Sequence, residues 1–258
     1  MNTRALFLPT RYSQGWRRIC SARSRLAAAT LGLIAAAAAA AVPPDNYVVL
    51  GANDLGMHRM QSDYSQMMLL PPYNNLRAQV LRRGGEPRLV TSGVTISYQI
   101  QGNTHSSDKT NFWTYEQQLL GSPIAPDVGL KGFGLAGEMR ADSTHRGFIA
   151  EGVPITPIDD DGKENTYPLA MITVRNAGTI LTQTQAVIPV SWEISCNLCH
   201  NTPGKTAATD LLEAHDRLHA TQLISHQPVM CASCHSDNAL AAPGKPGVSS
   251  LSSAMHSS

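Results

Sequence analysis

The sequence predicts an α+β chain in two parts. A β-rich, sandwich-like domain spans residues 42–190, and a small segment of short helices and loops spans residues 191–258. Two observations predict this. The run Val94 to Gln101 alternates strictly, with Val94, Ile96, Tyr98 and Ile100 on one face and Thr95, Ser97, Gln99 and Gln101 on the other, as a half-buried strand requires. After Val190 the composition changes: Trp192 is the only aromatic residue before the end of the chain.

Residues 1–41 come first. They hold six arginines and no acidic residue, then an alanine-rich apolar run and Val42-Pro43-Pro44. A basic region, an apolar region and a small-residue zone form a secretory signal peptide. Arg17-Arg18 is a twin arginine in a poor context, so the general secretory route is expected. An uncleaved membrane anchor is the rival, but the run is short and only mildly apolar for a span. Cleavage leaves no span, and removing six arginines from a chain of net charge +1 leaves −5. An acidic mature chain argues against nucleic acid as a partner.

Asn46 to Gly51 is a strand candidate, followed by the turn-rich stretch Gly51 to Met60 and a break at Pro71 to Asn75. Leu76 to Arg83 is a strand that turns at Gly84-Gly85-Glu86 into Arg88 to Gln101. Asn111 to Leu120 is a short helix, and residues 121–147, rich in glycine, are expected to be mostly loop. Asp159-Asp160-Asp161-Gly162 is a solvated turn without the spacing of a calcium loop. Leu169 to Arg175 and Thr179 to Val190 form a hairpin around Asn176-Ala177-Gly178. Together these suit a sandwich of roughly six to eight strands.

Beyond Val190 lie Cys196-Asn197-Leu198-Cys199-His200 and Cys231-Ala232-Ser233-Cys234-His235, which use every cysteine downstream of Cys20. C-x-x-C-H is the attachment pattern of a covalent c-type haem. Two thiols about one turn apart reach the two vinyl groups on one edge of a porphyrin, and the adjacent histidine supplies the proximal nitrogen. Cys196, Cys199, Cys231 and Cys234 are therefore expected to attach two haems, with His200 and His235 as proximal iron ligands. Two alternatives stay open: one zinc held by both C-x-x-C pairs, or two disulfides. Neither explains a histidine after each pair. Export supports the haem reading, because attachment takes place outside the cytoplasmic membrane. The segment is also too poor in large side chains to build a core alone. Two haems would supply the apolar bodies it lacks, so it is expected to depend on them for order.

Asp210 to Leu223 is the clearest helix, with Asp210 and Glu213 suiting an N-terminal cap. His215 lies in its apolar stripe and His219 one turn on. These two lead as distal iron ligands, followed by His256 and His58. His226 ranks with His58 or lower, and His105 and His145 sit in polar loops as ordinary surface histidines. Met230 and Met255 are candidates of the other axial type, although methionine is also common filler. Bis-histidine haems would have low potentials. Ala241 to Ser250 is a linker-like loop. His105-Ser106-Ser107-Asp108 puts triad residue types side by side, but a triad is spatial, not sequential.

With both motifs in hand, the chain resembles secreted multihaem c-type cytochromes of environmental bacteria, and in particular the N-terminal part of larger members. The stretch Asn53-Asp54-Leu55-Gly56-Met57-His58 and the segment Pro71-Pro72-Tyr73-Asn74-Asn75-Leu76 carry the likeness, followed by a β-rich region and C-x-x-C-H. It covers most of residues 46–256. Larger members continue into further haem motifs, whereas this sequence stops after Ser258. The resemblance implies electron transfer in the periplasm or at the cell surface, with redox partner proteins that include other multihaem cytochromes. The competing function is a haem enzyme, a peroxidase or oxyanion reductase, with one open iron. That needs acid–base groups beside an exchangeable site. The spare histidines favour saturated irons and hence a carrier.

Overall fold

Alternating burial along the strands builds two sheets. In this computed structural model, which describes residues 46–192 and 196–256, the first sheet contains β1 (Tyr47–Ala52), β4 (Asn74–Arg82), β5 (Arg88–Val90), β8 (Arg140–Asp142) and β9 (Gly147–Val153). Its order is β1-β4-β9-β8, with β5 also pairing with β4. The second sheet runs β11-β10-β6-β7, from β6 (Thr95–Ile100), β7 (Ala136–Glu138), β10 (Leu169–Asn176) and β11 (Thr179–Val187). All these pairs are antiparallel.

Leu76, Ala78 and Val80 from β4 turn inward, as do Ile96, Tyr98 and Ile100 from β6 and Ala170, Ile172 and Val174 from β10. They meet in one core between the sheets, closed by α1 (Phe112–Leu120) through Phe112 and Leu119. Each inward residue faces another across the ladder: Ile172 opposite Tyr98, Val174 opposite Ile96. The domain is therefore β-rich, as the alternation predicts, and carries few helices.

Three details differ from the sequence reading. The run from Arg88 to Gln101 is two strands, broken where Gly93 takes a positive φ. Residues 121–147 hold β7 and β8 and lead directly into β9. Every β7 residue is exposed, so no alternation marks it, and β9 buries residues on both faces. The β10–β11 turn is the pair Ala177-Gly178, both at positive φ, which is the primed geometry that suits the twist of a hairpin.

The rest of the chain is knitted onto the β-rich part. β2 (His58–Arg59) pairs in parallel with β12 (Val190–Ser191), and β3 (Met67–Met68) pairs in parallel with β13 (Val229–Met230). α2 (Ala207–His219) and α3 (Leu251–His256) follow the first and second motifs. Gln66 bonds through its amide to Thr206 and Thr209 at the start of α2. No helix among the described residues is long and apolar enough to cross a membrane. The expected signal peptide, residues 1–41, lies outside the described residues.

Candidate functional site

Both motifs fold into the same turn. In the first, Cys196–Leu198 is a single turn of 3-10 helix, and the Cys196 carbonyl accepts from Cys199 N–H at 3.2 Å and from His200 N–H at 2.8 Å. In the second, Cys231–Ser233 repeats it, with the Cys231 carbonyl accepting from Cys234 N–H at 3.2 Å and His235 N–H at 3.0 Å. One tight turn thus carries two thiols and an imidazole in each case.

The first cysteine of each motif rests on a shared apolar floor. Leu212 from α2, Leu251 from α3 and Met67 and Leu69 from the β-rich part form a second small core, with Cys196 and Cys231 packed against it. The tail thus borrows apolar side chains its own composition lacks. Burial pushes both thiols up, that of Cys231 to about 12, with Cys196 close enough to add repulsion. A thioether sulfur is neutral and suits such an apolar setting. The four cysteines form no disulfide. Nor does any group of three or more His, Cys, Asp or Glu converge as a metal cluster among the described residues.

The apolar surface around the motifs points the same way. Leu198, inside the first motif, and Leu218, beside His219, are 77% and 70% exposed, more than any other large apolar side chain described. Ile224, Val248 and Met255 add to this uncovered surface. Isolated exposed leucines are ordinary, but several around one segment mark a surface built to be covered. These residues fit a haem at each motif.

Hydrogen bonds fix the rings of several histidines. His235 donates Nδ1–H to the Ser249 carbonyl at 2.8 Å, which leaves Nε2 as its only free ring nitrogen. The segment 236–251 makes this possible. It is no linker but a strap around the second motif: Lys245 N–H donates to the Cys234 carbonyl and Leu251 N–H to the Ser236 carbonyl. Gly244, at φ +70°, lets it close, since a Cβ there would stand 2.4 Å from Ser236 N and 3.0 Å from the His235 carbonyl carbon. At the first motif, the Asp210 carboxylate lies within electrostatic reach of His200 and is held low first by its bond from the Thr202 hydroxyl. Asp210 is therefore not the cap of α2; Thr206 is, accepting from Thr209 N–H at 3.0 Å.

The other histidines separate clearly. His215 and His219 lie side by side on α2 with ring centroids 4.8 Å apart and planes tilted by 55°, and the His215 ring lies 6.4 Å from that of His235, while His219 is exposed. His226 donates Nδ1–H to the Gln222 carbonyl at 2.7 Å, a ligand-like tautomer lock that no sequence pattern announced. The side chain of His256 lies outside those described. His58 is buried and its Nε2 donates to the Pro71 carbonyl at 2.8 Å. That bond leaves Nδ1 as its free ring nitrogen. Burial lowers its pKa. His105 is held between Asp108 and Asp160 and does not meet a serine hydroxyl as a triad requires. His145 sits against Asp142 and Arg77 on the surface.

The two stretches that carry the family likeness come together in space. Asn53 bonds the Asn74 side chain and donates to the Asn75 carbonyl at 2.9 Å. Asn74, fully buried, donates to the Gly56 carbonyl at 3.3 Å and the Pro189 carbonyl at 2.5 Å. With the His58–Pro71 bond, this makes a buried polar joint just ahead of the first motif. Compared with known proteins, the chain matches no family model and no curated protein.

Proposed function

We propose that the protein is an exported dihaem c-type cytochrome that passes electrons between redox partner proteins, other multihaem cytochromes among them, in the periplasm or at the cell surface. The observation that carries this reading is the repeated turn, in which one carbonyl, that of the first cysteine, gathers the second cysteine and the histidine of each motif. Its chemistry follows from the residues. The four cysteines would hold each haem covalently, so that it cannot dissociate during electron exchange. His200 and His235 would bind iron from the proximal side. Ser249, by accepting Nδ1–H, leaves Nε2 of His235 as the nitrogen that would bind iron, and this bond would make the ligand more basic and favour a low potential. When bound, haem iron supplies the one-electron couple. Cys196 and Cys231 share one apolar floor, so two haems attached there would lie close together, which would suit rapid exchange within the pair.

The test is a visible absorption spectrum, oxidised and dithionite-reduced, of full-length protein made in a host that matures c-type haem. Sharp low-spin reduced bands, unchanged by carbon monoxide, are expected of a carrier. A high-spin component that binds carbon monoxide would favour an enzyme with an open iron.

A further inference from the structure

His215 is held in place by a short relay. Leu223 N–H and Ile224 N–H donate to the Asp216 carboxylate at 2.7 and 3.0 Å. That carboxylate accepts the Thr221 hydroxyl proton at 2.6 Å. Thr221 has one hydroxyl proton and has given it to Asp216, so toward His215 its oxygen can only accept. The 2.9 Å contact between His215 Nδ1 and Thr221 Oγ1 is therefore Nδ1–H donating. This fixes the tautomer and leaves a bare lone pair on Nε2. His235 reaches the same state by another route, since a carbonyl can only accept from its Nδ1.

Two imidazoles, each with Nδ1 engaged and Nε2 left as the nitrogen for a ligand bond, thus sit with ring centroids 6.4 Å apart and planes at 87°. Two metal–imidazole bonds of about 2.0–2.1 Å, plus about 1.1 Å from each nitrogen to its ring centre, give a separation of about 6.3 Å across one metal. An edge-to-face contact between aromatic rings spans about 4.5–7 Å and so includes this separation, but it requires no such pair of tautomers.

We propose that His215 is the sixth ligand of the iron carried on the second motif, with Asp216 and Thr221 as its positioning residues. The assignment rests on the haem reading and deepens it: α2 would close over the second haem from the face opposite His235. His219 is exposed and has no such relay among the described residues, so it is not assigned as the ligand.

The test uses full-length holoprotein with the haem of each variant counted as its pyridine adduct. His215→Gly is expected to keep two haems while about half of the iron becomes high-spin and binds carbon monoxide, and added imidazole should restore the low-spin spectrum. His215→Met keeps a side chain at the site and should raise the midpoint potential of one of two redox waves. Thr221→Val should leave both irons low-spin but move that same wave upward, because the ligand loses its Nδ1 acceptor. His219→Gly should change none of these. A dihaem His215→Gly protein that stays low-spin and ignores carbon monoxide overturns the assignment alone, as does loss of the low-spin signal in His219→Gly. Wild-type protein without haem overturns both the assignment and the reading beneath it.

Discussion

A single carbonyl decides how His235 is presented, and a single glycine decides whether that carbonyl arrives. Gly244→Ala places a methyl group 2.4 Å from a backbone nitrogen, at a φ of +70° that L-residues resist. The strap would have to move, taking the Ser249 acceptor with it. The expected outcome is a loss of about 1–3 kcal/mol of stability, read as a lower Tm, together with an altered second-haem spectrum in holoprotein. The two C-x-x-C-H motifs are legible in the sequence because the pattern is local. The acceptor of His235 is not, because Ser249 lies 14 residues away and contributes a carbonyl, which every residue has. The Asp216–Thr221–His215 relay is equally silent in sequence. His58 shows the reverse case: its Gly-flanked turn is visible, but the Pro71 carbonyl that takes up its Nε2 is a tertiary fact.

At the scale of elements, α2 is the pivot between the two motifs. Its inner face buries Leu212 completely, on the floor shared with Cys196 and Cys231. Leu212→Ala should cost about 2–5 kcal/mol, measured by chemical denaturation of the full chain. Its C-terminus ends on Ala220 in the left-handed region, at φ 53°. Ala220→Gly relieves that strain and should raise stability by about 0.5–1 kcal/mol, seen as a higher denaturation midpoint. A fall would mean that Ala220 packs in a way its conformation does not reveal. The helix itself is visible in sequence through its apolar stripe, but its start is not. Asp210 looks like a cap on composition, yet Thr206 caps and Asp210 turns back to Thr202. Among strands, β6 announces itself because one face is buried and the other largely wet. β9 does not, being buried on both faces, and β7 does not, being exposed on both.

Across the whole molecule, the β-rich part carries an acid-sensitive lock of its own. Burial pushes the Asp160 carboxyl up, but the Lys109 ammonium and the Thr104 N–H and hydroxyl overcome it and hold it at about 2, below its ordinary 3.8. A depressed folded-state pKa stabilises above the unfolded value and loses that contribution as protons bind. Stability should therefore fall as pH drops from about 4 towards 2, and Asp160→Asn should lose that part of the dependence in acid titrations followed by circular dichroism. The division into a β-rich part and a cysteine-bearing tail is plain from composition. The way the tail is held is not: the parallel pairs β2–β12 and β3–β13 span most of the chain and involve two residues a side, too short to leave a pattern. The measurement that bears most directly on the account is the covalent haem content of the purified full chain after denaturation and acid–acetone extraction. Two haems that stay with the polypeptide are expected, and one when Cys231 and Cys234 are both changed to alanine. A colourless chain, or haem that washes out entirely, would contradict it.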